Sequence, residues 1–368
     1  MTSAEYWEIA GLCGTSAAAT AVICHYAPQV GRAIGVMDKP DGGRKLHKVE
    51  TPLIGGLAAL IPTFAASLVY CLYFSLAPIM LAAVGAATGV LVVGVIDDRM
   101  ALSAIWRVVP LTVIIAGVLM ADPLFVLHTL LFKIFGFSLS VTLPNVVAAP
   151  FVLLMILGFI NAANMADGMN GQLLGSIMLW SAFIVHYLGA DAGLPFIVLI
   201  SSCFVALTFN LRGKLFAGSA GAYAGSLFVG LGAIAAYRLS NGTMAAQVPV
   251  YWFWLPVLDC VRLMVTRTMD GKSPFAPDRC HFHHLLLDHM RARDALLVYL
   301  GLLAAPGIAA MINEETASIT LLLCIGCYGA FIVGARRGQK PRSSLGTSVL
   351  AVKLADKDGG LADGRTGP

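Results

Sequence analysis

Apolar residues along the chain gather into long unbroken runs, not into a period of two or one face of a helix. The runs lie near 7–28, 53–76, 78–96, 108–121, 145–163, 173–190, 195–211, 221–238, 248–266, 295–313 and 317–335, with polar connections between them. A helix crossing the ~30 Å hydrocarbon core uses about 20 mostly apolar residues. The pattern predicts an all-α integral membrane protein of about eleven transmembrane helices. The first run follows Glu5 with no basic flank, and it reads as a span, not as a signal peptide. Between 121 and 144, Phe125, Leu127, Phe135, Phe137 and Leu139 predict an extended hairpin against the outer surface. Residues 1–335 form the membrane domain; 336–368, rich in Gly, Ser and charge, read as a disordered cytoplasmic tail.

Composition sharpens this picture. Of the 368 residues, 58% are apolar and only 12% charged, against roughly 25% charged in soluble domains. A soluble enzyme and a disordered chain are excluded, and a net charge of +4 is too small to point to nucleic acid. The lipid bilayer is the partner the composition implies, and oligomeric state stays open, a homodimer included. The eight cysteines are scattered, mostly inside apolar runs, and read as packing residues. Taken over alternate connections from 29–52 onward, 22 of the 24 Lys and Arg fall on one side, leaving Lys133 and Arg238 for the other. The positive-inside rule makes that side cytoplasmic, with the N-terminus outside and the C-terminus inside. Tyr251, Trp252, Phe253 and Trp254 then fall where an interfacial aromatic belt belongs. Gly85 with Gly89, and Gly221 with Gly225, have the small-xxx-small spacing of close helix crossings.

The polar clusters fall on the cytoplasmic side, at span ends, where ionisable groups are expensive and functional by default. Asp97 and Asp98 follow the run Leu91–Ile96; adjacent carboxylates repel, and a divalent cation bridged to phosphate is their natural compensation. A solvated loop is the plainer reading. In Asn161-Ala-Ala-Asn164-Met-Ala-Asp167-Gly168-Met-Asn170-Gly171, Asn161 and Asn164 share a helix face and the glycines permit bends near a ligand. The segment also reads as a helix-breaking turn. Pro274–His284 carries Arg279, His281, His283 and His284; adjacent His283 and His284 suit one zinc poorly, and a phosphate-binding surface is favoured. The basic loop 38–48, with Lys45, His47 and Lys48, and the segment Asn210–Phe216, with Lys214, add cations. Carboxylates for a cation and cations for phosphates suggest phosphoryl transfer at the membrane face, a chemistry of positioning and charge neutralisation. A transporter would place its polar groups at mid-membrane.

These motifs, in this order over about residues 35 to 290, resemble the polyprenyl-phosphate N-acetylhexosamine-1-phosphate transferases, of the glycosyltransferase family 4 type. The resemblance rests on the basic loop running into Thr51-Pro52 and Gly55-Gly56, on Asp97-Asp98 and on Asn161–Gly171. It rests also on Pro256 and Asp259 followed by Pro274–His284. The His-Phe-His-His form looks like the O-antigen and teichoic-acid branch. The resemblance implies transfer of an amino-sugar 1-phosphate from a UDP-amino sugar to undecaprenyl phosphate, with release of UMP, in the bacterial inner membrane. It implies Asp97, Asp98 and Asp167 as catalytic residues and Mg2+ (or Mn2+) on Asp98 and Asn170. It implies Lys45, His47, Lys48, Asn164, Lys214, Arg279, His281, His283 and His284 as substrate-binding residues. Two positions depart from the family pattern: Asn170 stands for an Asp, and Ser219 for the magnesium-binding carboxylate. Both remove negative charge and predict weaker magnesium binding. They also motivate a second reading, a non-catalytic paralogue that binds nucleotide-sugar or lipid phosphate.

Overall fold

The computed structural model describes residues 3–40, 49–74, 77–134, 136–274 and 279–338. Among them thirteen α-helices run in chain order: α1 (Ser3–His25), α2 (Ala27–Ile34), α3 (Gly55–Phe74), α4 (Ala77–Met100), α5 (Ala104–Ala121), α6 (Asn145–Ala166) and α7 (Gln172–Ala192). They continue with α8 (Leu194–Asn210), α9 (Gly218–Leu239), α10 (Val248–Met269), α11 (Phe282–His289), α12 (Ala292–Ala310) and α13 (Glu314–Gly338). Every predicted apolar run is a helix. Nine of the described helices are long and apolar enough to cross a membrane, and α3 and α8 are shorter apolar helices; the protein is a multi-pass membrane protein. The tail 336–368 lies almost wholly outside the described residues. The chain divides into a unit Met1–Cys324, which holds everything discussed below, and Ile325–Pro368, whose described part is the end of α13.

Two antiparallel ribbons complete the fold. The shorter pairs β1 (Met37–Asp38) with β2 (Thr51–Pro52). The longer is the expected hairpin, β3 (Thr129–Ile134) with β4 (Phe137–Thr142), in the register Leu130↔Val141 and Phe132↔Leu139.

Helix α9 is the axis of the bundle. Its apolar window is 94% buried, against 22% for α5, and α3, α4, α6 and α7 pack round it. Such burial needs close backbone approach, and small residues supply it. A Cβ on Gly56 would lie 2.1 Å from the Gly221 Cα, and one on Gly94 would lie 2.4 Å from the Ala220 Cα. The expected pairs behave unequally: Gly221 meets Gly56, Gly225 meets Ile177 and Gly89 meets Ile114, whereas Gly85 has nothing within 4 Å. Aromatic packing fills the other half of the core. Trp180 and Trp252 are fully buried, with Phe183 stacked on Trp252 at 5.7 Å and the Trp180 Nε1 donating to the Trp252 carbonyl at 2.8 Å. This corrects the expectation of an aromatic belt: Tyr251, Trp252 and Trp254 are all buried, because α10 turns that face toward α12 and the core.

Glycine contact predicts opposite signs for one substitution at three sites. Gly→Ala in a helix is intrinsically favourable by about 0.5–1 kcal/mol, so Gly85→Ala holds or raises the melting temperature in detergent. Gly56→Ala and Gly94→Ala force α3 and α4 off α9 and destabilise by about 1–3 kcal/mol or more. Thermal unfolding of the three variants, read by fluorescence-detected size exclusion, checks this.

Candidate active site

The polar motifs converge at one end of the bundle, where α4, α6, α8 and α10 end and α9 begins. Chain geometry there is set by the loop after α8. Phe216 N donates to the Pro52 carbonyl at 2.9 Å, and Gly55 N and Gly56 N donate back to Phe216 and Ala217 carbonyls at 2.8 and 2.9 Å. That ladder delivers the chain to Gly218, whose φ of +75° is a conformation glycine adopts without strain. A Cβ there would also lie 2.6 Å from Asp98 Oδ2. Helix α9 therefore starts directly against a carboxylate from the end of α4. Asp98 Oδ1 accepts from Ser219 N at 2.8 Å and Oδ2 from Ala220 N at 3.1 Å. The first backbone N–H groups of a helix lack internal partners and carry a partial positive charge, so Asp98 caps α9 from another helix. The Ser219 hydroxyl lies in hydrogen-bond reach of the same carboxylate.

Neighbouring residues on a helix diverge by about 100°, and Asp97 accordingly serves a different set of partners. It is buried. Its Oδ2 accepts from the Tyr223 hydroxyl at 2.8 Å and its Oδ1 from Leu102 N at 2.9 Å, with Arg107 Nε 3.6 Å from Oδ1. Asp97 thus ties α4 to α5 and α9, while Asp98 faces the site.

Asp167 follows the last turn of α6 and lies where the charge of Asp98 acts on it. Burial first, then that neighbouring charge, push its carboxyl pKa up to about 7, against a backbone N–H of Leu173 that favours the ionised form. Of the two asparagines before it, Asn161 donates to Leu157 O of its own helix at 2.8 Å, and Asn164 is half-buried. Gly171, with φ +88°, turns the chain into α7. Its N–H donates to Asn210 Oδ1 at 2.5 Å, and Asn210 Nδ2 donates to Leu215 O at 2.9 Å. Asn210 is thereby the clasp between the two site loops. Asn170 is exposed beside Gly213.

The histidine segment is held by a buried charged network. His281 Nδ1 meets Asp259 Oδ2 at 2.9 Å, and its Nε2 faces Arg267 at 3.4 Å. This pairing makes Nδ1–H the donor and Nε2 the acceptor. Arg262 donates to Asp259 at 2.7 Å and to the Cys280 carbonyl at 2.7 Å, and Arg267 to the Pro274 carbonyl at 2.8 Å. His281 is therefore a pin between α10 and α11, with both ring nitrogens engaged by protein. His283 stacks on it, ring centroids 5.5 Å apart and planes within 12°. The His283 ring lies so close over Gly168 that a Cβ there would come 1.8 Å from Nε2. Burial, and then the neighbouring histidines, hold the His283 pKa well below its ordinary value. This neutral imidazole has a buried Nε2 with no hydrogen-bond partner among the described residues. His284 is half-buried next to it.

The structure thus brings Asp98, Asp167, Asn170, Lys214 and His283 to one end, with Asp97 and His281 locked behind them. Lys214 is exposed, its Nζ 5.8 Å from the Phe209 ring, and Arg279 is exposed. Lys45, His47 and Lys48 lie outside the described residues. Among the described residues, no three of His, Cys, Asp and Glu group as metal ligands. Sequence reasoning passed over Arg262 and Arg267, although they follow Asp259 at i+3 and i+8 in an otherwise apolar helix. That spacing signals charges on one face.

The profile described as Glycosyl transferase family 4 matches residues 80–237. The chain is 30% identical over 340 residues to the undecaprenyl-phosphate alpha-N-acetylglucosaminyl 1-phosphate transferase of Salmonella typhi, covering 84% of this chain and 87% of that one. It is 29% identical over 341 residues to the protein of the same name from Escherichia coli (strain K12), with the same coverage of 84% and 87%. It is 28% identical over 323 residues to the decaprenyl-phosphate N-acetylglucosaminephosphotransferase of Mycolicibacterium smegmatis, covering 79% of each. The chain belongs to glycosyl transferase family 4, and it is a membrane enzyme of the phosphotransferase kind.

Proposed function

We propose that the protein transfers an N-acetylhexosamine 1-phosphate, by default N-acetylglucosamine 1-phosphate, from a UDP-sugar to undecaprenyl phosphate. The product would start a cell-envelope polysaccharide of the O-antigen or teichoic-acid kind. In this reading α3 and α8 also cross the bilayer, for eleven spans. The site then faces the cytoplasm of a bacterial inner membrane, with the N-terminus outside. The observation that carries the proposal is the approach of Asp98 and Asp167 at the mouth of α9, beside the Nε2 of His283, which has no hydrogen-bond partner among the described residues.

An oxygen of the lipid phosphate attacks the sugar-bearing phosphorus of the UDP-sugar. The new P–O–P bond forms as the bond to the UMP oxygen breaks, and UMP leaves with that electron pair. The second pKa of a phosphate ester is about 6, so at pH 7 the nucleophile is already mostly ionised and needs orientation more than a strong base. Asp97 suits an orienting role, since its oxygens hold Tyr223 and Arg107. Asp167 organises the mouth of the site, and His283, Lys214 and Arg279 supply contacts for phosphates and nucleotide, with Asn164 at the rim. His281 contributes by positioning the segment. Lys45, His47 and Lys48 add cations on the same side of the membrane.

Two carboxylates acting on one another fit a hard divalent cation, which commonly takes one or two protein carboxylates and completes its shell with phosphates and water. Asp98 and Asn170, with Asp167 adjacent, would hold Mg2+ or Mn2+, which when bound neutralises charge on the pyrophosphate.

Purified protein given UDP-N-acetylglucosamine, undecaprenyl phosphate and Mg2+ should release UMP and yield a lipid product of the corresponding mass. Loss of one preorganised charge contact costs about 10²–10³ in rate, the drop expected for Asp98→Asn; undiminished UMP release would remove Asp98 from the site. No turnover with any UDP-sugar, despite nucleotide-sugar binding, would favour the non-catalytic reading.

The raised pKa of Asp167 gives a second outcome. Starting from 3.8 and reaching about 7 in the folded protein, the carboxyl binds its proton more tightly when folded. Its contribution to stability is therefore complete below pH 4 and lost as pH rises through about 7. A cation favours the ionised form, so Mg2+ binding should release protons between about pH 5 and 8 and none well above that window. Calorimetry in buffers of differing ionisation enthalpy reads this release, and Asp167→Asn should diminish it.

Ser219 provides the third. Charge-assisted contacts are roughly twice as strong as neutral ones, so Ser219→Asp should lower the Mg2+ concentration for half-maximal rate. A lower rate at every Mg2+ concentration would instead make Ser219 a direct substrate contact.

A further inference from the structure

At the end of the bundle away from the site, the β3–β4 hairpin has two chemically distinct faces. Thr129, Leu131 and Lys133 on β3 pair with Thr142, Ser140 and Ser138 on β4. On β3 this face turns toward the protein: Lys133 Nζ donates to the Thr243 carbonyl at 2.9 Å and stands 3.8 Å from Glu314, and Leu131 reaches Gly242, while the small polar Ser138, Ser140 and Thr142 opposite them on β4 are exposed. The opposite face carries Leu130, Phe132, Phe137, Leu139 and Val141. Phe137 is 80% exposed and Leu139 59%. Among the described residues, Phe137, Leu139 and Val141 on β4 are exposed, and Leu130 and Phe132 on β3 are half-buried.

The hairpin is tied to the helical bundle. One edge is stitched to the end of α9 and to the α9–α10 connection: Leu131 N donates to the Tyr237 hydroxyl at 2.8 Å and Ala246 N to the Leu131 carbonyl at 2.7 Å. Gln247 bonds the Lys133 backbone on both sides. Only Leu143 and Pro144 separate β4 from α6. Two residues span at most about 7 Å, and α6 begins with Val146 and Val147 exposed on its surface. The apolar hairpin face is thus tethered within two residues of the exposed apolar start of a helix long enough to cross the membrane. We infer that this face is a membrane-docking surface whose occupant is the boundary between headgroups and acyl chains of the adjacent leaflet. Its depth is bounded by chemistry. An open strand edge has unpaired N–H and C=O groups that the hydrocarbon core does not tolerate, so the ribbon lies flat at the interface, as interfacial amphipathic elements do at about 5–10 Å. The inference stands on α5 and α6 crossing the membrane and is independent of the reaction proposed above.

Tryptophan placed along β4 tests it in the full-length protein, reconstituted into phosphatidylethanolamine–phosphatidylglycerol vesicles with or without lipids brominated on their acyl chains. The parent protein serves as background. Leu139→Trp and Val141→Trp should add blue-shifted emission, most of which is lost in brominated lipid. Ser140→Trp, on the opposite face, should keep its emission. Alternation with a period of two supports the docking surface. Equal quenching at all three positions, or emission at 139 and 141 that responds to aqueous acrylamide and not to brominated lipid, overturns it. Phe137→Trp on the same face replaces either reporter that fails to fold.

Discussion

Asp98 at the start of α9 is the contact on which the rest of the site depends. A carboxylate from the last turn of one transmembrane helix accepts the first free N–H groups of another. The cap satisfies donors that would otherwise be orphaned at the membrane boundary, and it aims the positive end of the α9 dipole at the site. It also explains why residues 218–221 are so small. Gly218 leaves room for the carboxylate, and Ala220 and Gly221 let α4 and α3 close on α9. Helix packing and electrostatics are thus solved by one short segment.

Around that cap, two further polar units divide the labour. Asn210 joins the 167–171 turn to the loop that leads into α9. The Asp259–His281–Arg267 unit pins the histidine segment against α10 and stacks His283 over Gly168. Gly168 tolerates that ring because it has no side chain. A buried ion network of this sort is weak support for stability in itself, yet it fixes where His283 stands. The site is assembled where four helices end and α9 begins, and hydrogen bonds from named donors, with the packing of His283 over Gly168, tie these ends together.

Much of the fold was legible in the sequence because a membrane helix is encoded by length and apolarity alone. All eleven apolar runs are helices, and the 121–144 connection is the expected hairpin. The motifs were legible as well, since charged residues at the ends of apolar runs stand out. Which way each side chain faces was not. Asp97 and Asp98 are neighbours in the chain, yet one is walled in by Tyr223 and Arg107 and the other opens toward Asp167. His281 and His283 divide in the same way, one consumed by Asp259 and Arg267 and one with a nitrogen to spare. The aromatic group at 251–254 looked like an interfacial belt and proved to be core. Rotation about a helix axis, and the partner arriving from a distant segment, decide these cases. Neither is written in a local pattern. The short α2 and α11 escaped notice for a related reason: eight residues of mixed polarity carry no hydropathy signal.

The crossing of α9 with α3 and α4 has a mechanical consequence. Packed helices slide past one another by small rotamer changes in the side-chain layer between them. Where Gly56 meets Gly221 and Gly94 meets Ala220, that layer is missing, and backbone rests on backbone. No lubricating layer means no shear. The α3 and α4 backbones cannot slide across the start of α9 without first separating from it, so that crossing is the stiff reference against which the site loops are set.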